Sequence, residues 1–153
     1  WAELEAAAPS IAAKGRALLY QYGPPLGFLA TVRPDGGPRL HPFCPIIYDG
    51  HLWAYVLERS PKCRDLRRDP RFALHAMPPE AVDDELMIRG RATFVDAVSD
   101  ALRGGIVAAA KPASVGAETE VLFELHLDRV MLATYTHRGQ WPPVYEKWIA
   151  PEA

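Results

Sequence analysis

Little net charge is left on this 153-residue sequence, where 17 Lys and Arg face 19 Asp and Glu for a formal −2. Without a global basic field, nucleic acid is not an expected partner, and the arginine-rich stretches are local features. No run of about 18 apolar residues occurs, so no membrane-spanning helix is expected. The first twenty residues show neither the basic flank nor the apolar core of an export signal. Only two cysteines are present, Cys44 and Cys63. They form neither a CxxC pair nor a Cys/His ligand spacing, which excludes a disulfide framework and points to reduced thiols in a cytoplasmic chain. His75, His126 and His137 have no acidic or cysteine neighbours at ligand spacing, so no metal is expected. Ser10, Ser99 and Ser114 lack a nucleophile-elbow context, and Gly104-Gly105 makes no dinucleotide fingerprint. Internal repeats, linkers and low-complexity tracts are also absent.

What is present is a series of short strands punctuated by turn residues. A chain of this length fits one domain and buries roughly 70% of the surface its unfolded form exposes. An alanine-rich helix is expected within residues 1–22, interrupted at Pro9-Ser10 and ended by Gly23-Pro24-Pro25. Gly27 to Val32 reads as a strand, closed by the turn Pro34-Asp35-Gly36-Gly37. Its partner runs from Pro38 to Tyr48, where Pro42 and Pro45 remove two ladder donors and imply an edge or a bulge. Asp49-Gly50 turns the chain into the strand His51 to Leu57. Further strands are expected at Pro70–Met77, Leu86–Val95, Val121–Leu127 and Arg129–Thr136, the last two joined near Asp128. A helix is expected over Asp96 to Ala110, and an aromatic extended segment closes the chain from Trp141. The pattern is mainly β, a small antiparallel barrel with flanking helices: helix 1–22, barrel 26–136, extended segment 141–153.

One stretch organises the rest. Arg59-Ser60-Pro61-Lys62-Cys63-Arg64 follows the third strand and opens a short helix, with Ser60 as N-cap and Pro61 at the first helical position. A helix start with Arg59, Lys62 and Arg64 around it has the makings of an anion site. Read alone it is equally an ordinary capped surface helix whose arginines are solvated. Its surroundings decide between the two.

Those surroundings are the hairpin Pro34-Asp35-Gly36-Gly37-Pro38-Arg39, then Tyr48-Asp49-Gly50-His51-Leu52-Trp53, then Ser60-Pro61-Lys62-Cys63-Arg64-Asp65-Leu66-Arg67-Arg68-Asp69-Pro70-Arg71. The order resembles the pyridoxamine 5′-phosphate oxidase-like proteins, a flavin-binding family with a six- to seven-stranded antiparallel split β-barrel. The resemblance is strongest from Gly27 to Met77. It implies an oxidoreductase acting on a small-molecule substrate, carrying FMN or, in some branches, the deazaflavin coenzyme F-420. It places Ser60 and Lys62 on the cofactor phosphate. Pro61 stands where the family has a second cation, with Arg59 or Arg64 as substitutes. His41 aligns with an arginine that contacts ring and phosphate, and Pro42, Phe43 and Cys44 would follow the flavin edge. Tyr55 and Val56 match positions flanking the ribityl chain. Such barrels are generally homodimers, so Trp148, like Trp141, is a candidate to complete the partner's pocket, or else a core aromatic.

The Arg-x-His motif with which true pyridoxamine-phosphate oxidases grip their substrate is missing, so that reaction is not expected. Two alternatives remain. Arg59, Arg64, Arg67 and Arg68 would suit the acidic tail of coenzyme F-420. A non-enzymatic flavin or haem carrier or sensor would use His41 or His75 as haem ligand. A flavin site needs little acid–base machinery of its own, so the missing catalytic triad does not exclude an oxidoreductase.

Overall fold

The computed structural model describes residues 1–151, so the last two residues of the expected C-terminal segment lie outside the description. Two short helices, α1 (Ala2–Ala7) and α2 (Pro9–Tyr20), precede the strands, divided at Ala8 as Pro9 requires. There follow β1 (Gly27–Val32), β2 (Pro38–Phe43), β3 (Ile46–Tyr48), β4 (His51–Leu57), α3 (Pro61–Arg68), β5 (Arg71–Ala76), β6 (Glu85–Val95), α4 (Asp100–Ala110), β7 (Glu120–Thr134) and β8 (Val144–Ile149). No helix among the described residues is long and apolar enough to cross a membrane.

The strands form one antiparallel sheet in the order β2-β1-β5-β6-β7-β4-β3, with β8 paired to the far end of β7. Its two edges, β2 and β3, are consecutive in the chain and separated only by Cys44-Pro45. Laid flat, seven strands would hold those edges ~29 Å apart. Two linking residues reach only ~10 Å. The sheet must therefore curl until its edges meet, which makes it a split barrel. The expected single strand from Pro38 to Tyr48 is thus two strands serving opposite edges, parted where Pro45 interrupts pairing.

Turn chemistry behaves as the sequence indicates. Gly36 adopts φ +82° in the first hairpin, and Asp49-Gly50 takes positive φ at both residues in the next. Two expectations need correction. Val121–Leu127 and Arg129–Thr136 are one 15-residue strand, β7. Its register against β6 steps from Arg89↔Arg129 to Gly90↔Leu127, so Asp128 is the extra residue of a β-bulge, not a turn. The last helix starts at Asp100, not Asp96, because Ser99 is its N-cap, with Oγ accepting from Leu102 N at 3.2 Å.

Alternation along the strands divides the apolar residues between two cores. On β4, Leu52, Ala54 and Val56 enter the main core, which also takes Leu29, Phe72, Leu74, Ile88, Phe123 and Leu132 and is covered by Leu4, Ile11 and Leu19 of the first two helices. Trp53 and Tyr55 face the other way, packing with Ile46, Leu122 and the α4 residues Ile106 and Ala110. Gly105 allows this packing: a Cβ there would lie 2.1 Å from Cζ of Tyr48.

α3 plugs the barrel through Cys63, Leu66 and Asp65, the last only 2% exposed. Asp65 Oδ2 accepts from Thr31 Oγ1 at 3.0 Å and from Arg39 Nε at 2.7 Å, and its Oδ1 accepts from Arg68 Nη1 at 3.4 Å. Burial alone would raise the carboxyl pKa. The bonds from Arg39 and Thr31, with the Arg39 charge and the Arg68 bond, outweigh it and leave the pKa below 3.8. Asp65→Ala, which leaves Arg39 without its partner, is expected to cost about 3 kcal/mol, read from urea midpoints. Because the folded-state pKa is depressed, this contribution is present above pH about 4 and is lost as pH falls through the folded value. The difference between wild type and Asp65→Asn should accordingly shrink in acid; a difference independent of pH would refute the charge assignment.

Candidate functional site

The start of α3 is capped as its sequence implies, with Ser60 Oγ accepting from Cys63 N at 3.2 Å. Arg64 N donates to Ser60 O, and Pro61 has no N–H. Lys62 N is thus the backbone donor of this turn left without a partner among the described residues. The helix end contributes little to anion binding by itself. Side chains have to supply the rest: the Ser60 hydroxyl, whose hydrogen is not used by the cap, and the Lys62 ammonium, which enters no ion pair among the described residues. Lys62 is half-buried, and its pKa is lowered by desolvation, against the raising influence of Glu120 and Cys44.

Two more of the sequence-predicted residues, His41 and Cys44, lie close enough to Lys62 to feel its charge, and a third, Tyr55, shares Glu120 with it. On the edge strand β2, His41 shares a face with Arg39, which reaches α3 through Asp65. The imidazole pKa is lowered by burial first, then by Lys62 and Arg39. Cys44, in the link between β2 and β3, has its thiol pushed up by burial and Glu120, while Lys62 opposes. Tyr55, 7% exposed, shares Glu120 as a charged neighbour; burial raises its phenol, and Arg103 partly offsets this. Two buried side-chain polar atoms in the described structure have no hydrogen-bond partner, His41 Nε2 and Tyr55 Oη. Unsatisfied buried polar atoms cost about 1–3 kcal/mol each and are rare enough in native folds to call for a ligand or solvent partner.

Two grooves open beside this cluster. One of about 660 Å³ is lined by Leu57, Glu58, Arg59, Ser60, Glu118 and Thr119. The other, about 450 Å³, runs past Tyr55, Phe94, Asp96, Arg103 and Glu120. Glu120 stands near both. Its Oε2 accepts from Gly116 N at 2.7 Å and Ala117 N at 3.1 Å, fixing the loop between α4 and β7 over the Tyr55 ring. Arg103 Nη1 ties that loop from the other side through Gly116 O. Nothing in the sequence singles out Glu120 or Arg103 as site residues, because neither belongs to a motif and only the fold brings their elements to β4.

The remaining predicted residues lie as follows. Arg59 lines the larger groove, and Arg64 Nη1 donates to its carbonyl at 2.8 Å, so Arg64 braces the loop. Arg67 stacks 4.2 Å from the Phe94 ring and pairs with Glu58, while Arg68 bonds Asp65 and Val32 O. Pro42 is exposed on β2, and Phe43 turns into the main core. Val56 also points inward, 1% exposed, on the strand face opposite Tyr55; only its backbone is near the groove side. Trp148, 9% exposed, packs in the main core opposite Val130 on β7, ten residues along the strand from Glu120, or ~33 Å. Within one chain it is remote from Lys62. His75 Nδ1 lies 2.7 Å from Ala76 O. No group of three or more His, Cys, Asp or Glu among the described residues could hold a metal ion.

Comparison with known proteins agrees with this architecture. Residues 14–140 match the family model described as pyridoxamine 5′-phosphate oxidase. A heme-binding protein from Mycobacterium smegmatis superposes with a TM-score of 0.67 at 20% identity, over 92% of this chain and 58% of that one, so this chain spans just over half its length. A NimC/NimA family protein from Clostridium acetobutylicum gives 0.61 at 15% identity, covering 90% and 94% of the two chains. An F-420 reductase gives 0.59 at 24% identity, covering 75% and 94%. A search of curated proteins gave no match.

Proposed function

Because this chain belongs to the pyridoxamine 5′-phosphate oxidase family, we propose that it binds FMN at the start of α3 and is an oxidoreductase for a small-molecule substrate. The observation that carries the reading is the pair of buried polar atoms without a hydrogen-bond partner among the described residues, His41 Nε2, which feels the Lys62 charge, and Tyr55 Oη, which shares Glu120 with Lys62, a half-buried lysine in no ion pair among those residues. A phosphorylated flavin fits this donor set. Lys62 and the Ser60 hydroxyl hold the phosphate, with the free Lys62 N–H as a third donor and Arg59 at the rim. His41 Nε2 and Tyr55 Oη donate to the polar atoms that follow, while Pro42, Phe43 and Cys44 present backbone along the ring edge. When bound, the cofactor supplies the electron chemistry; the protein supplies orientation, hydrogen bonds and exclusion of water.

FMN is preferred over coenzyme F-420 because Arg67 and Arg68, which would serve a longer acidic tail, are engaged with Phe94, Glu58, Asp65 and Val32. The reading includes a cytoplasmic homodimer, in which Trp141 and the exposed part of β8 would lie nearest a partner's site. Val144, Tyr145 and Ile149 are exposed there.

The test is an absorbance spectrum of the protein as isolated, with mass spectrometry of what it releases on denaturation. A flavin spectrum and the mass of FMN are expected. Colourless protein that does not bind added FMN, or a Soret band in place of the flavin bands, would overturn the assignment.

A further inference from the structure

Three observations bear on His41 together. Its Nε2 is buried and has no hydrogen-bond partner. The charged groups facing it are Lys62 and Asp65 from α3, Arg39 from its own strand and Arg33 from the hairpin turn. The single carboxylate among them, Asp65, is already held by Thr31, Arg39 and Arg68, so no acid pairs with the imidazole. The ring therefore sits in a place that opposes a positive charge, through burial and three cations, until an anion arrives.

We propose that His41 is a proton-coupled clamp on the cofactor phosphate: the imidazole takes up one proton as the anion seats against Nε2, so phosphorylated ligands are held more tightly in mild acid than in mild alkali. This rests on the assignment of the α3 start as the phosphate site. Seating a phosphate between Lys62 and His41 replaces a field of like charge with one of opposite charge. An opposite charge at contact distance favours the protonated ring by about 1–3 pH units. A ligand that raises the pKa of a group binds with one proton over the interval between the free and bound values. The free value lies below 6.5. The interval thus begins under pH 6.5 and extends above it. The phosphate's own second ionisation, near pH 6, acts in the opposite sense and is almost complete by pH 7. Lys62 titrates as well, so the assignment to His41 needs variants that leave Lys62 in place.

The experiment measures FMN affinity by fluorescence quenching at pH 6.5 and 8.5, and proton uptake by calorimetry in two buffers of different ionisation enthalpy at pH 7.5. Wild type, His41→Arg and His41→Asn are compared, with riboflavin as the phosphate-free probe. Wild type should bind FMN roughly tenfold more weakly at pH 8.5 than at 6.5 and take up a substantial fraction of one proton at pH 7.5. His41→Arg, always charged, should bind tightly at both pH values without uptake. His41→Asn should bind weakly at both, and riboflavin should show no dependence in any protein. The same pH dependence and uptake in wild type and both variants would overturn the clamp and leave FMN binding standing. No FMN binding at either pH would overturn both.

Discussion

Gly90→Ala is expected to yield a chain that does not reach the native fold. Gly90 sits on β6 where the register steps past Asp128, and a Cβ there would lie 1.7 Å from the carbonyl oxygen of His126 and 3.2 Å from Cε1 of Phe72. The nearer obstacle is backbone of the adjoining strand, which cannot rotate away as a side chain can. Relief would require moving β6 and β7 apart along the longest ladder of the sheet. Losses above about 4–5 kcal/mol are exceptional for single substitutions and arise from steric faults of this kind. A domain with 5–15 kcal/mol in total would have little left. Far-UV circular dichroism and a urea titration decide the matter. Gly104→Ala is the control: a Cβ there has nothing within 4 Å, and the mid-helix position should gain ~0.5–1 kcal/mol. A Gly90→Ala protein with the wild-type midpoint would mean that the strands do not approach this closely.

Lys62→Ala should weaken FMN binding by about 10- to 150-fold, the range for losing one hydrogen bond to a charged group. The loss should fall toward the upper end, because Glu58 and Glu118 line the groove at Ser60 and Glu120 acts on Lys62, leaving Arg59 at the rim as the remaining counter-charge in that lining. Riboflavin, lacking the phosphate, should be affected much less. Lys62→Arg should recover part of the affinity by keeping the charge. Quenching titrations at two ionic strengths measure all three, and raising salt should diminish the wild-type advantage. Equal losses for FMN and riboflavin would move Lys62 away from the phosphate.

Much of the fold could be read from local chemistry. The glycine turn after Asp35, the Asp49-Gly50 turn and the Ser60-Pro61 cap all take the conformations their residues favour, and between them lie the strands they delimit. Features that depend on a neighbouring strand were hidden. Asp128 resembles a turn residue, but β6 runs past it and makes it a bulge. Pro38 to Tyr48 is continuous in composition, and only closure of the sheet assigns its halves to different edges. The opposite facing of Tyr55 and Val56 was legible, since adjacent strand residues always diverge. Of the candidate site, Ser60, Lys62 and His41 stand out by their order in the chain. Glu120 and Arg103 do not, because they come from elements more than forty residues downstream of Lys62 that only the fold brings to the Tyr55 side of β4.

The joint at Cys44-Pro45 also bears on how the chain reaches this structure. β1–β2 and β3–β4 are both local hairpins, each able to form within microseconds. Along the hydrogen-bonded ladder they lie at opposite ends, and β5, β6 and β7, which follow later in the chain, must bridge them. Two early hairpins joined by two residues are held edge to edge at that joint without pairing across it, and the later strands have to close the barrel around the far side. The slow step of folding should then be the arrival of β7, with its long-range pairing to β4, and not the formation of either hairpin.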